Sequence, residues 1–190
     1  GSTQVQGRAS FAGNLCNASP AGDSVPGLVA AGAKAVIVGK NGKREVPVED
    51  VPAGPGKTNL AADEFVYEFI IPKCEGKTGD AYLRFIPRTE MDIAVVGAGV
   101  CVTLDNDGVC TAAKVSLGAV APTVVVVPDA AKALIGSKLD QAALDKVDAA
   151  ARAAAKPIAD KRGTVEFRIK VAGVLARRAA AIAFERAAAR

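Results

Sequence analysis

Apolar residues in the first part of the chain come in short bursts. Pro20 to Ala33 sets Val25, Leu28 and Val29 on one face behind Asp23 and Ser24, with Gly32 as a stop, and this predicts a short helix. The next stretch, "KAVIVGKNGKREVPVED", carries β-branched residues on both sides of Asn41-Gly42. That dipeptide tolerates positive φ, so the pattern predicts a hairpin. Asp50 to Leu60, rich in Pro and Gly, reads as loop, and "EFVYEFIIP" as a strand ending at Pro72. Cys74 to Asp80 reads as a linker between two units, residues 1–76 and 77–190.

Beyond the linker the period changes twice. Tyr82 to Ile86, Ile93 to Leu104 and Val109 to Gly118 predict three strands, the last two joined by a turn at Asn106-Asp107-Gly108. From Pro128 the pattern becomes helical. Asp140 is a candidate N-cap for Gln141 to Ala155, with Leu144, Val147, Ala151 and Ala154 on one face. A last helix, starting near Gly163, sets Val171, Val174, Leu175 and Ile182 together. The expected fold class is α+β: a short helix, a hairpin and strands, then an antiparallel three-stranded sheet packed with helices.

Composition narrows the chemistry. Half of the 190 residues are hydrophobic, but only 4% are aromatic and none is Trp, so Ala, Val, Leu and Ile must build the core. Val95–Val102 and Val120–Val127 fall far short of the ~20 apolar residues of a membrane span. There is no histidine, which removes His triads, His-ligated metals and the commonest neutral-pH base. Cys16, Cys74, Cys101 and Cys110 have no CxxC spacing and read as reduced, mostly buried thiols of a cytoplasmic protein. On that reading the sequon Asn17-Ala18-Ser19 is a coincidence. The net charge of +4 is uneven, because Lys161 to Arg190 holds eight basic residues against Glu166 and Glu185. With few aromatics to stack on bases, a solvated face or subunit contact fits that segment better than nucleic acid.

Three glycine-rich stretches invite a nucleotide reading. "GPGKT" (Gly54–Thr58) imitates the end of a Walker A loop, but Val51 stands where its first glycine belongs. "VVGAGV" (Val95–Val100) lacks the third glycine of a dinucleotide fingerprint and runs on as strand. "GRASFAGNLCNASPAGDS" (Gly7–Ser24) is different, because its amides near a glycine precede a short helix, which are ingredients of a phosphate nest.

Taken in order, "GRASFAGNLCNASPAGDSVP", the hairpin, "GPGKTNLAADEFVYEFIIP", "AYLRFIPRTEMDIAVVGAGV" and "VCTAAKVSLGAVAPT" resemble successive stretches of the flavin-carrying medium subunit of molybdenum hydroxylases. This is the family of carbon monoxide dehydrogenase and xanthine dehydrogenase. The resemblance implies that residues 1–76 are the second FAD-binding subdomain and 77–190 the C-terminal domain. Ser10, Phe11, Ala12, Gly13 and Asn14 stand where the family has a T-I-G-G-N-like loop that packs amides against the FAD pyrophosphate. Asp23 matches an acidic cofactor contact, Val66 an apolar one, and Arg84 a basic position near the flavin.

Plainer roles stand beside these. Asp23 is placed to cap a helix, Arg84 to be an exposed strand charge, and Val66 to fill a core. Arg88, Glu90 and Asp92 also match the family, and there Arg-carboxylate pairing is expected rather than catalysis.

Two departures matter. Ala12 replaces a family glycine, which keeps an amide but penalises positive φ. The family's N-terminal lobe, with its own FAD loop, has no counterpart, so the lobe is expected from a longer chain or another chain. The polypeptide alone is expected to hold FAD weakly and to be inactive.

The implied partners are a large molybdenum-cofactor subunit and a small subunit with 2Fe-2S clusters. No catalytic side chain, metal ligand, membrane span or nucleic acid is expected. The implied role is electron transfer through FAD to an external acceptor, and the alternative is a docking module that holds no flavin.

Overall fold

The computed structural model describes residues 3–89 and 91–190. Helices α1 (Thr3–Gln6), α2 (Phe11–Cys16) and α3 (Ser24–Ala30) lead into strands β1 (Lys34–Gly39) and β2 (Gly42–Pro47). A 3-10 turn (Val48–Asp50) and a small hairpin of β3 (Pro52–Gly54) and β4 (Lys57–Thr58) precede β5 (Phe65–Ile70). The first unit is thus an antiparallel sheet of order β2-β1-β5. One face is covered by Leu15, Val25, Leu28 and Val29, which pack on Ala35 and Ile37. The expected hairpin forms with Gly39 paired to Gly42, and Gly42 carries the positive φ of 109°. "GPGKT" lies in the β3-β4 hairpin and leads into no helix.

The second unit holds β6 (Lys77–Phe85), β7 (Val96–Leu104), β8 (Cys110–Gly118) and β9 (Val125–Val126), in that order and antiparallel. The expected three strands are present, and the two-residue β9 extends the sheet. Because β6 starts at Lys77, the second half of the supposed linker is strand. At the β7-β8 turn the Asp105 carboxylate accepts from the amides of Asp107 and Val109, and Gly108 takes φ 77°. Helices α4 (Pro128–Leu134), α5 (Gln141–Ala154) and α6 (Val165–Ala188) cover one face. The Asp140 carboxylate caps α5 through the Ala143 amide at 2.8 Å.

The helix faces differ from the hydropathy expectation. On α6 only Leu175 of the anticipated four is buried, and the contact is made by Ala172, Ala176, Ala179, Ala180 and Ala183. The reason lies on β6, where a Cβ at Gly79 would overlap the backbone of Ala183 and Ala187. The helix therefore rides at backbone contact, where small side chains fit and β-branched ones do not. On α5, Val147 and Ala151 are buried as expected, while Ala143 takes the place of Leu144.

The other sheet face receives the first unit. A Cβ at Gly99 would stand 2.5 Å from the Pro26 carbonyl oxygen, and one at Gly118 2.6 Å from Pro26 Cγ. This bare strip lets α3 lie flat on β7 and β8, and the Ser116 hydroxyl donates to the Pro26 carbonyl at 2.6 Å. Lys114 reaches Glu49 at 2.8 Å as a second tie.

The thiols depart from expectation, since Cys16 and Cys74 are exposed and only Cys110 is fully buried. Cys16 ends the short α2 and Cys74 lies on the exposed segment after β5, so neither has a core to enter. Among the described residues no helix is long and apolar enough to cross a membrane.

Candidate functional site

A cleft of about 550 Å³ opens between the two units, a ligand-sized volume. Asn14, Asp23 and Arg84 line it together, joined by Asn17, Met91 and Arg162. The opening stretch forms this wall as a capped helix rather than an open loop. Ser10 is the N-cap of α2, its hydroxyl accepting from the Gly13 amide at 3.0 Å. Ala12 sits inside that helix without positive φ, so the alanine costs nothing there. The Phe11 and Ala12 amides head the helix, where the backbone supplies no partner.

Asn14, one turn on, accepts from both the amide and the hydroxyl of Ser24, at 2.9 and 2.7 Å. Its side chain thereby locks α2 to the start of α3. Asp23 precedes α3 yet makes no side-chain capping bond, and its carboxylate instead accepts from Arg84 Nη1 at 2.6 Å. Arg84 is half-buried rather than an exposed strand charge, and it pairs across the strands with Gly97, over which the Tyr82 ring lies. Beside them burial pushes the Tyr82 phenol far above its ordinary value, helped by the Asp23 charge, so it is neutral at any physiological pH.

The remaining expected residues stand apart from the lining. The Phe11 ring meets Phe69 edge to face at 6.1 Å, and Val66 packs on the inner side of the three-stranded sheet.

The far wall is an ion-pair network. Arg88 pairs with Asp92 at 3.4 Å, as expected, but the closer partner of Asp92 is Arg162, whose Nε lies 2.6 Å away. Glu90 lies outside the described residues. Asp160 accepts from the Arg162 amide at 2.8 Å and from Arg168 Nη2 at 2.6 Å. Buried Arg168 also donates to the Val95 carbonyl at 3.0 Å. Arg162 and Arg168 were not singled out from sequence, because their partners lie across the fold.

The network titrates on the acid side. The Arg162 guanidinium holds the Asp92 carboxyl below the usual range, with the Ile93 amide adding to it. The Arg162 amide, with the Arg168 guanidinium, does the same for Asp160. A depressed folded-state pKa stabilises fully above the unfolded value near 4 and is lost as pH falls through the folded value. Residues 88–95 and 160–168 are therefore expected to lose hydrogen-exchange protection as pH drops below about 4. Protection that stays level in acid would refute the assignment.

Strained backbone gathers around the same region. Ala18, Met91 and Ala119 occupy the left-handed region at φ 48°, 58° and 63°. Each costs about 1–3 kcal/mol, a cost seen chiefly where surrounding structure dictates the shape. The Ala119 amide donates to the Pro20 carbonyl at 2.7 Å, which holds the conformation. A second cavity of about 290 Å³, mostly apolar and walled by Pro20, Pro122 and Pro157, adjoins the cleft and shares Ile93 and Arg162 with it.

Residues 1–74 match the FAD binding domain in molybdopterin dehydrogenase, and residues 81–183 match the CO dehydrogenase flavoprotein C-terminal domain. The carbon monoxide dehydrogenase medium chain of Afipia carboxidovorans is 35% identical over 176 residues, covering 93% of this chain and 60% of that protein. The xanthine dehydrogenase FAD-binding subunit of Escherichia coli O157:H7 is 28% identical over 167 residues, or 87% of this chain and 57% of the other. The crystal structure of a cyanide-inactivated Cu,Mo-CO dehydrogenase superposes with a TM-score of 0.91 at 34% identity, over 96% of this chain and 63% of that one. This chain thus spans about three fifths of the relatives it matches. With both domains matched in order and the fold shared along almost its whole length, the chain belongs to the CO dehydrogenase flavoprotein family, the FAD-binding subunits of molybdenum hydroxylases.

Proposed function

We propose that this chain is the part of a medium subunit that grips FAD at the junction of its two units. In the assembled enzyme it passes electrons from the iron-sulfur clusters of a small subunit to an external acceptor. The observation that carries this is the meeting of Asn14, Asp23 and Arg84 in one cleft. The cleft fits part of such a cofactor. Its donors, Arg84, Arg162 and Asn17, suit phosphate and ribose oxygens, and a Cβ at Gly22 would press within 3.2 Å of Asn14 Oδ1.

Bound FAD supplies the chemistry of taking up electrons singly and releasing them as a pair. The chain's residues bind and orient. The Phe11 and Ala12 amides at the head of α2, with the Gly13 amide held by the Ser10 cap and Asn14 setting the helix, would offer donors to the pyrophosphate. Asp23 fixes Arg84 through Nη1, which leaves the guanidinium's other N–H groups as donors that would hold the cofactor, and neutral Tyr82 backs the pair without adding charge. Val66 supports the sheet beneath. A histidine base is not called for, because the redox chemistry resides in the cofactor.

The large molybdenum-cofactor subunit and the small iron-sulfur subunit are the partners in this reading, in the cytoplasm. The rival reading, a flavin-free docking module, sits badly with the match of residues 1–74 to an FAD-binding domain.

Arg84→Ala should lower the flavin content of the purified complex at limiting FAD, through a dissociation constant raised roughly tenfold or more by loss of a charge-assisted contact. FAD released on denaturation, measured per protein by its fluorescence, reads this without an activity assay. A wild-type complex that assembles fully yet releases no FAD on denaturation after incubation with FAD would establish the docking module instead.

A further inference from the structure

The basic residues of Lys161 to Arg190 divide once they are placed in the fold. Arg162 and Arg168 are engaged by Asp92 and Asp160, and Arg186 donates to the Asp80 carbonyl at 2.7 Å. Arg177 and Arg178 have neither an ion-pair nor a hydrogen-bond partner among the described residues. They line a groove of about 310 Å³ between α5 and α6, floored by Leu144, Val174 and Ala181. On α5, Asp148 pairs with Arg152 at 2.5 Å and Asp145 accepts from the neutral Gln141 amide at 2.7 Å, and neither carboxylate pairs with Arg177 or Arg178. Two arginines in sequence thus border an aliphatic floor without an ion-pair partner among the described residues, on the helix face opposite the sheet.

We propose that this groove docks an acidic segment of a partner protein chain. Its carboxylates bridge Arg177 and Arg178, and one aliphatic side chain seats on Leu144 and Val174. The charge pattern identifies the occupant. Arginine forks take carboxylates in two-point contacts, and arginine is enriched at protein interfaces where lysine is depleted. Nucleic acid fits less well, because no aromatic side chain lines the groove to stack on a base. The inference rests on the multi-subunit reading above and makes the partner a subunit of the same complex. It goes beyond that reading by assigning a docking surface away from the flavin cleft.

The test is assembly of the full complex from the medium subunit, the molybdenum-cofactor subunit and the iron-sulfur subunit, measured as affinity against ionic strength. Arg177→Glu with Arg178→Glu places like charges against the acidic segment and should weaken association roughly thirtyfold at low salt, while abolishing most of its salt dependence. Arg177→Lys with Arg178→Lys keeps the charge and should retain the salt dependence at reduced affinity. Both variants should keep the wild-type helix content and melting point, since neither side chain enters the core. Unchanged affinity of the charge-reversed variant overturns the proposal. So does unchanged assembly combined with lost binding to a single-stranded oligodeoxynucleotide, which would make the groove a nucleic-acid surface. A wild-type chain that assembles with neither subunit is a different failure, for it overturns the functional reading and this inference with it.

Discussion

Gly79→Val is expected to abolish cooperative folding of the C-terminal unit. At this position β6 and α6 touch backbone to backbone, so a Cβ would overlap the main chain at Ala183 and Ala187, and no side chain there can swing aside. The helix must lift away along its length, opening the alanine face that covers Val100 and Val102. Overpacking a rigid contact of this kind is expected to cost at least about 4 kcal/mol, at the severe end for single substitutions. Gly76→Asn is the control, because Gly76 has open space around it and a φ of 57° that asparagine tolerates. Urea titration followed by circular dichroism should show the control near wild type and Gly79→Val without a native baseline. A wild-type midpoint for Gly79→Val would mean that α6 does not lie against β6 as described.

Arg168→Leu should be the most damaging change in the ion-pair network. Arg168 is 4% exposed, and loss of its guanidinium strands the carbonyl of fully buried Val95 and removes the 2.6 Å donor of Asp160. Asp160 is 31% exposed at its side chain, so water screens part of its charge, and the stranded carbonyl carries the larger share. The expected loss is about 3 kcal/mol. Arg168→Lys should recover only part of it, because one ammonium cannot hold the fork geometry that spans both partners. Thermal melts of the two variants decide the matter, and full rescue by lysine would show that only the charge matters.

These cases mark what the sequence revealed and what it hid. Local chemistry was readable: the Gly42 hairpin, the Asp-Gly turn before β8 and the Asp140 cap each need only a few neighbouring residues, and each is present. The faces of α6 were not, because hydropathy ranks Val171, Val174 and Ile182 above alanine. The partner surface, set by Gly79 a hundred residues earlier in the chain, accepts only small side chains. In the cleft, the interest of Asn14, Asp23 and Arg84 came from resemblance, but their bonds did not. Asp23 looked like a helix cap, and Asn14 does the capping while Asp23 turns to a strand 61 residues away. Arg168 looked like one charge of a basic surface, and no local pattern marks it as buried. Pairings such as Asp92 with Arg162, 70 residues apart, become visible only when two distant segments meet.

The bare glycine strip under α3 also bears on the order in which the molecule forms. Pro26 and Ser116, joined at 2.6 Å, are 90 residues apart, so this contact closes a long loop and has nothing to rest on until β7 and β8 are paired. Union of the two units therefore belongs to the slow, topology-limited end of folding, and the cleft comes into being with it. The chain carries its own reporter of that moment. Tyr82, one of two tyrosines in a protein without tryptophan, is half-buried between α3 and Gly97, so its fluorescence registers the closing of the junction.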